Sequence, residues 1–403
     1  MLQKNFKIVS LCIALLAVAA SSARADDSVS IQQLHDQVQQ MQQQIDVLSK
    51  RPAEQSDKQE KVSAKVTKRE EQSANLGKAV QLYGQLRLSV DNYSDDFGAG
   101  TGGAGGDGIT VKSNASRFGI KGEIPTGLGN TSMIYQAEVL YGAADNPTNE
   151  IEWREGYAGL KGDWGQVRLG RLDVLYKTTL TTIDPWNDTA AQSRGFGGRQ
   201  GSSSLHANYF TNTGEYVSPS FKGFKAGAWL SNQLDDETSS IHGASPITNF
   251  KGGDAKGIGV KFNKGGLFVG ADWIEFNADN VASGVTNGSG WQLAGRYEMG
   301  DWSLGAMYED VKDLGLGSNL YLVGTYTYKP GKTTLIATLG RNRDATTYSN
   351  RNIDTWSLGA KYALTKDSEL FTTWVDRSED AFGTTRAKDY QILTLGINAK
   401  FGY

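Results

Sequence analysis

The sequence predicts an all-β fold: a transmembrane antiparallel β-barrel of about 16 strands, preceded by a short α-helical coiled coil. Three observations predict it. A strand with one apolar face ends the sequence, and a secretory leader begins it. Between them runs a long series of segments with period-two alternation, separated by connectors that are short and long by turns.

In the terminal strand, Asp389–Tyr403, one face carries Leu393, Leu395, Ile397, Ala399, Phe401 and Tyr403. The other carries Thr394, Gly396, Asn398, Lys400 and Gly402. A period of two with one greasy side is a half-buried strand. Phe401 and Tyr403 are the expected barrel-closure residues, because an open sheet edge in lipid would leave backbone groups without partners.

The leader is residues 1–25. Lys4 and Lys7 precede an apolar run from Ile8 to Ala20, and Ala23-Arg24-Ala25 offers a small-x-small cleavage site. The one cysteine, Cys12, lies within the leader, so disulfides and thiol chemistry are excluded from the mature chain. Removal of Lys4, Lys7 and Arg24 takes the formal charge from −3 to −6. That balance argues against nucleic acid as a partner. Glycine and aromatic residues are abundant and proline scarce, as a barrel that needs apolar side chains only at alternate positions requires.

Residues 26–51 form the coiled-coil segment. Ile31, Leu34, Val38, Met41, Ile45 and Leu48 follow 3-4 spacing, and Pro52 ends the run. The alternative reading is one amphipathic helix lying on the barrel. The stretch 52–78 is rich in Lys, Glu, Gln and Ser, and reads as a polar periplasmic linker.

The barrel is expected over 79–403. Leu82, Leu86, Leu88 and Val90 face one way, and Tyr83, Gln85, Arg87, Ser89 and Asp91 the other. Further strands are expected near 114–124, 131–142, 152–162, 166–171, 202–218, 224–233, 256–263, 267–277, 290–299, 302–311, 319–329, 333–341, 353–363, 368–376 and 389–403. Short connectors such as Gly162–Gly165 and Gly300-Asp301 alternate with long ones, of which 172–201 is one. Tight turns on one side and long loops on the other describe an outer-membrane barrel with its turns in the periplasm. Outward sets such as Trp291/Leu293/Gly295/Tyr297 and Trp356/Leu358/Ala360/Tyr362 place aromatics near the strand ends, where the membrane interfaces lie.

Several stretches, in order, resemble the general porins of Gram-negative bacteria. They are Ser116–Glu123, Arg154–Leu160 followed by Lys161-Gly162-Asp163-Trp164-Gly165, Leu169-Gly170-Arg171, and Tyr216–Phe224. The N-terminal coiled coil departs from the commonest members, which begin at the first strand. The resemblance implies an outer-membrane homotrimer whose barrels each pass ions and small hydrophilic solutes. It also implies a third loop, here Leu172–Gln200, folded inward to narrow the pore. Arg117 and Arg171 match basic wall positions of the family, Arg199 corresponds to a third, and Arg87 lies one inward step beyond Gln85. Asp184 and Asp188 are the loop acids expected to face them across the constriction. Charge rings of this kind set selectivity by electrostatics.

Arg171 shares strand parity with Leu169 and Val167, which face lipid, so an inward Arg171 needs a bulge near Gly170 or an early strand end. The alternative for each arginine is a wall residue paired with an inward carboxylate such as Glu123 or Glu138. No nucleophile constellation stands out. Ser204 and His206 share a face but lack an orienting third group and an oxyanion site, so the chain does not read as an enzyme. No metal or cofactor is implied. The expected partners are outer-membrane lipid, lipopolysaccharide and further copies of the chain. The second functional reading is a substrate-selective channel for anions or sugars, and a barrel hydrolase comes third.

Overall fold

The computed structural model describes residues 36–44, 63, 78–94, 108–144, 151–194, 200–207, 209–232, 254–277, 287–328, 332–346, 352–380 and 388–402. The leader, most of the coiled-coil seam, Arg199 and Tyr403 lie outside the described residues. Residues 36–44, inside the seam, are helical, with Val38 and Met41 exposed. The chain separates into two compact units, Met1–Ala74 and Asn75–Tyr403, the second being the barrel.

The first nine strands are β1 (Gln81–Tyr93), β2 (Gly108–Ser113), β3 (Arg117–Pro125), β4 (Ser132–Leu140), β5 (Glu152–Gly162), β6 (Gly165–Leu172), β7 (Phe210–Val217), β8 (Phe224–Ser231) and β9 (Asp254–Lys264). Then follow β10 (Leu267–Asn277), β11 (Gly288–Met299), β12 (Trp302–Val311), β13 (Gly317–Tyr328), β14 (Thr333–Arg343), β15 (Ile353–Ala363), β16 (Ser368–Glu379) and β17 (Lys388–Phe401). Neighbours pair antiparallel around one sheet, and β17 pairs with β1 from Gly84↔Phe401 to Tyr93↔Ile392, which closes it.

The closed barrel has 16 staves, because β2 and β3 share one: β2 pairs with the far half of β1, Leu88–Tyr93, and β3 with its near half, Gln81–Gln85. The break between them falls at Ala115, whose φ of 55° is left-handed. Ser116 bridges it, accepting from the Arg87 N–H at 3.0 Å and donating to the Arg87 carbonyl at 3.1 Å. The expected strand 114–124 is therefore half of a broken stave. The expected strand 202–218 is shorter than its alternation suggested: Ser204–Ala207 form a 3₁₀ turn, and β7 starts only at Phe210.

Pleat geometry explains the burial pattern. In β1, Tyr83, Gln85, Arg87, Ser89, Asp91 and Tyr93 are buried inside, while Leu82, Leu86 and Val90 are exposed outside. The outer surface is apolar around the barrel, with Leu293, Leu304, Leu339, Leu358 and Leu395 all exposed. Aromatic pairs bracket this band. Trp291 lies 5.5 Å from Tyr308 towards the long-loop end, and Trp302 lies 4.5 Å from Tyr326 towards the short-turn end. An outward band of this kind matches hydrocarbon with an interfacial girdle at each rim. Several turns of the short end are as tight as a hairpin allows. Gly265 and Gly266, with φ of 63° and 80°, join β9 to β10 in the left-handed pair that suits strand twist.

The interior is not uniformly wet. Two apolar clusters occupy part of it. One contains Leu172, Val174, Tyr176, Leu205, Phe210, Trp229 and Ile274, the other Leu180, Ile183, Trp186, Met307, Tyr321 and Phe371. Both include residues of the segment between β6 and β7, which therefore folds into the barrel and packs on its inner wall.

Candidate functional site

The inward segment leaves β6 at Leu172 and forms a helix over Leu175–Ile183, with Leu175, Tyr176, Thr179, Leu180 and Ile183 buried. It fits because the facing wall is built from glycine. A Cβ added at Gly227 would lie 2.4 Å from Leu175 Cδ1, and one at Gly270 2.6 Å from Thr179 Cγ2. At Gly359 it would lie 2.7 Å from Trp186 Cζ2, and at Gly340 2.2 Å from the Gln200 carbonyl oxygen. Strand residues lacking Cβ let a second backbone approach closely. Burying the Leu180, Ile183 and Trp186 side chains in that seat stabilises it by roughly 1.5–3 kcal/mol each.

Wall side chains fasten the helix further. Gln292 Nε2 donates to the Tyr176 carbonyl at 2.6 Å, Arg296 Nη1 to the Thr182 carbonyl at 2.5 Å, and Lys261 Nζ to Thr178 Oγ1 at 2.7 Å. The Lys361 ammonium lies over the Trp186 ring at 5.3 Å.

Beyond the helix the segment crosses towards β1 and β3, where the charges collect. Asp188 takes a left-handed φ of 62°, which a short polar side chain tolerates. Its carboxylate meets Arg194 at 2.7 Å, Arg117 at 3.1 Å and Arg87 at 3.4 Å. Arg87 Nη1 also donates to the Asn187 carbonyl at 2.6 Å. Burial alone would push the Asp188 carboxyl up, but Arg194, Arg154, Arg117 and Arg87 outweigh it and hold it well below the usual carboxylate range. Arg117 Nε lies 3.5 Å from Glu138, the pairing weighed as the alternative, and Arg154 Nε donates to the same Glu138 at 2.7 Å.

Arg171 joins this cluster from the side. Its Nε donates to the Arg154 carbonyl at 2.7 Å, and its guanidinium lies over the Tyr209 ring at 5.3 Å. The parity conflict at Arg171 has its irregularity: the β6–β7 register shifts between Gly170 and Leu172, opposite Asn212 with φ of 50°. Lys177 Nζ lies 3.7 Å above the same ring and 2.6 Å from Asp173. Burial lowers the Lys177 ammonium to about 8, against the support of Asp173. Asp184 has a different setting. Its carboxylate accepts from the Trp186 N–H at 2.9 Å, the Ser193 N–H at 2.8 Å and the Tyr321 hydroxyl at 3.0 Å, all within or behind the loop.

Arg154, Arg194 and Lys177 were not singled out from the sequence. Simple alternation from Tyr157 turns Arg154 towards lipid. A bulge that sets Trp153 and Gly156 against Val139 and Ala137 reverses it, and alternation carries no sign of that bulge. Arg194 and Lys177 belong to the loop, where no periodicity applies. The group around Asp188 and Tyr209 holds six cations (Arg87, Arg117, Arg154, Arg171, Lys177, Arg194) and three carboxylates (Glu138, Asp173, Asp188). Further along the wall, Arg168 is paired with both Glu155 and Glu215.

Known proteins share this architecture. The anion-selective porin from Comamonas acidovorans superposes with a TM-score of 0.62 at 18% identity, over 80% of this chain and 99% of that one. Salmonella typhi OmpF gives a TM-score of 0.60 at 14% identity, over 80% and 97%. In sequence, outer membrane porin protein 32 of Delftia acidovorans is 25% identical over 263 residues, 61% of this chain and 69% of that protein. The chitoporin of Vibrio furnissii is 26% identical over 227 residues, covering 52% and 57%. Against the major outer membrane protein P.IB of Neisseria sicca, the chain spans about half the relative's length, 51%, at 25% identity. The family model described as Gram-negative porin matches residues 12–380, and with the closed 16-stave barrel this shows that the chain belongs to the Gram-negative porin family of the outer membrane.

Proposed function

We propose that the barrel is a water-filled channel for passive diffusion of ions and small hydrophilic solutes, narrowed by the segment between β6 and β7, with a preference for anions. The excess of cations over carboxylates around Asp188 carries the preference. Fixed charges at a narrow, poorly solvated passage act more strongly than in bulk water. In this reading Arg87, Arg117 and Arg171 line the wall side, Asp188 caps the loop side, and Asp184 holds the loop's shape. Arg199 corresponds to the third basic position of the constriction that the resemblance implies. Phe401 and Tyr403 complete the lipid-facing seam at barrel closure.

The anion-selective porin from Comamonas acidovorans supports the ion preference, and the trimer form of Vibrio cholerae OmpT favours a homotrimer with one channel per barrel. Residues 1–25 act as the signal peptide. Residues 26–51 are a coiled-coil tether in the periplasm, 52–78 its spacer, and 79–403 the barrel. Lipopolysaccharide borders the long loops, and no catalytic residue is assigned. The test is the zero-current potential of single channels in a potassium chloride gradient. The potential is expected to have the sign of chloride preference, and a cation-sided potential at low salt overturns the assignment.

A further inference from the structure

On the inner wall, three polar residues of adjacent strands stand side by side in register: Glu309 of β12 opposite Asn319 of β13, and Asn319 opposite Asn342 of β14. Along the same strands the next inward positions are apolar or glycine, Met307 beside Glu309, Tyr321 beside Asn319 and Gly340 beside Asn342. All three side chains of the row are buried, Glu309 and Asn342 completely. Asn319 Nδ2 donates to Glu309 Oε2 at 2.8 Å, and Asn342 Nδ2 to Asn319 Oδ1 at 2.6 Å.

The row grips both stems of the inward segment. From the first stem, the Tyr176 hydroxyl donates to Glu309 Oε1 at 2.7 Å. From the second, the Ser203 hydroxyl donates to Oε1 and the Ser203 N–H to Oε2, each at 2.8 Å. His206 Nε2 lies 3.0 Å from Oε1, its ring stacked on Tyr176 at 5.0 Å between centroids. Asn342 completes the hold, accepting from the Gly201 N–H and donating to the Ser202 carbonyl, each at 3.0 Å. A buried carboxylate needs this many donors, since it has been removed from water and an uncompensated charge there is costly. None of these side chains pairs with Asp188, although Arg194 of that cluster donates to the His206 carbonyl at 2.7 Å.

We propose that Glu309, Asn319 and Asn342 form a clasp that pins the two stems of the inward segment together against the wall and thereby sets the channel's aperture. They are positioning residues: they act on permeation from behind the loop, through the place at which its tip comes to rest. The inference rests on the channel reading. It adds a determinant of pore width to the charges that set ion preference.

The test compares folded, purified barrels of the wild type with Glu309→Leu, Glu309→Gln and Asn342→Leu, in single-channel recordings at high salt. Glu309→Leu removes both carboxylate oxygens, which accept from Tyr176, Ser203 and Asn319. It is expected to raise conductance about twofold and to add switching between levels, since conduction follows the free cross-section of the pore. Glu309→Gln keeps one acceptor oxygen for the stems and is expected to stay near the wild-type level, with Asn342→Leu between the two. A lock serves as the control. Gly270 and Thr179 approach closely enough to suit a disulfide, and Gly270→Cys with Thr179→Cys in the Glu309→Leu background is expected to restore the wild-type level when oxidised and release it when reduced.

If Glu309→Leu does not fold, Asn342→Leu and the Tyr176→Phe/Ser203→Ala pair carry the same expectation. Folded variants with wild-type conductance and no switching overturn the clasp. So does an increase that the oxidised lock fails to reverse. A wild-type barrel that passes no current fails the channel reading instead, so the two failures are distinguishable.

Discussion

Arg117 Nη1 donates to Asp188 Oδ2 at 3.1 Å, and this contact joins the wall at β3 to the tip of a segment that leaves the sheet at β6. Strand parity alone requires Arg117 to face inward, because Phe118 and Ile120 are exposed on the other side. An arginine facing lipid at mid-depth would cost ~2–4 kcal/mol. Pairing with Asp188 and Glu138 then compensates its burial.

Neutralising the pair is expected to move selectivity in opposite directions. Arg117→Gln should shift the zero-current potential towards cations, and Asp188→Asn further towards anions. Both shifts should shrink towards 1 M salt, where the screening length falls to ~3 Å. Unchanged potentials in both variants at low salt would move the selectivity element elsewhere.

Lys177 supplies a pH dependence. Its folded value of about 8 lies below the ordinary 10.5, so between those values the unfolded chain binds the proton and the folded one does not. Stability therefore rises with pH across that window, and the cost of burying the charge is felt below about 8. For permeation the same titration removes one cation from the cluster holding Asp173, Arg154 and Arg194. Anion preference should fall as pH rises through about 8, and Lys177→Met should flatten that part of the profile. A wild-type profile that is level from neutral to alkaline pH would contradict it.

The glycine seat predicts a steric effect. Gly270→Val places a branched side chain where Thr179 Cγ2 already lies, 2.6 Å from the first added carbon. The helix must then lift off the wall into the passage, and conductance should drop while the barrel still folds. Gly156→Ala, which meets nothing within 4 Å, should leave conductance unchanged. Equal conductance in both variants would show that the segment does not rest where the glycines place it.

Barrel closure gives a stability prediction. The Phe401 ring covers Gly84, so that a Cβ there would sit 2.4 Å from Phe401 Cζ. Gly84→Val should hinder closure of β17 on β1 and reduce the yield of folded barrel, read by heat-modifiable mobility on gels. Replacing Tyr403 with Asp should act in the same direction, with single-channel properties preserved in whatever folds. Normal yields of both would remove this seam from the determinants of assembly.

Removal of 26–78 is expected to leave a folded, conducting barrel, because the chain separates into compact units at Ala74 and Asn75. Thermal resistance of the assembled oligomer is the quantity that should fall. Loss of all folded barrel would place this stretch within the core fold.

The sequence by itself determined the faces. Period-two alternation is a property of a single strand's pleat, so Leu293, Leu358 and Leu395 could be assigned to lipid and Gln85, Arg87 and Arg117 to the interior before any pairing was known. It also located the closing strand, while the inward fold of the connector 172–200 came from the resemblance to a known family and not from any pattern in the chain. Tertiary structure alone decided what meets inside. Arg154 turns inward through a bulge, which depends on its partner strand having one residue fewer between matched positions. Asp184 and Asp188 look alike in the chain, yet backbone N–H groups and Tyr321 claim the first while four arginines surround the second. Glu309, Asn319 and Asn342 are unremarked polar residues on separate strands until sheet register sets them in one row. Register and loop docking are fixed by contacts between residues far apart in sequence, and a local pattern carries no record of them.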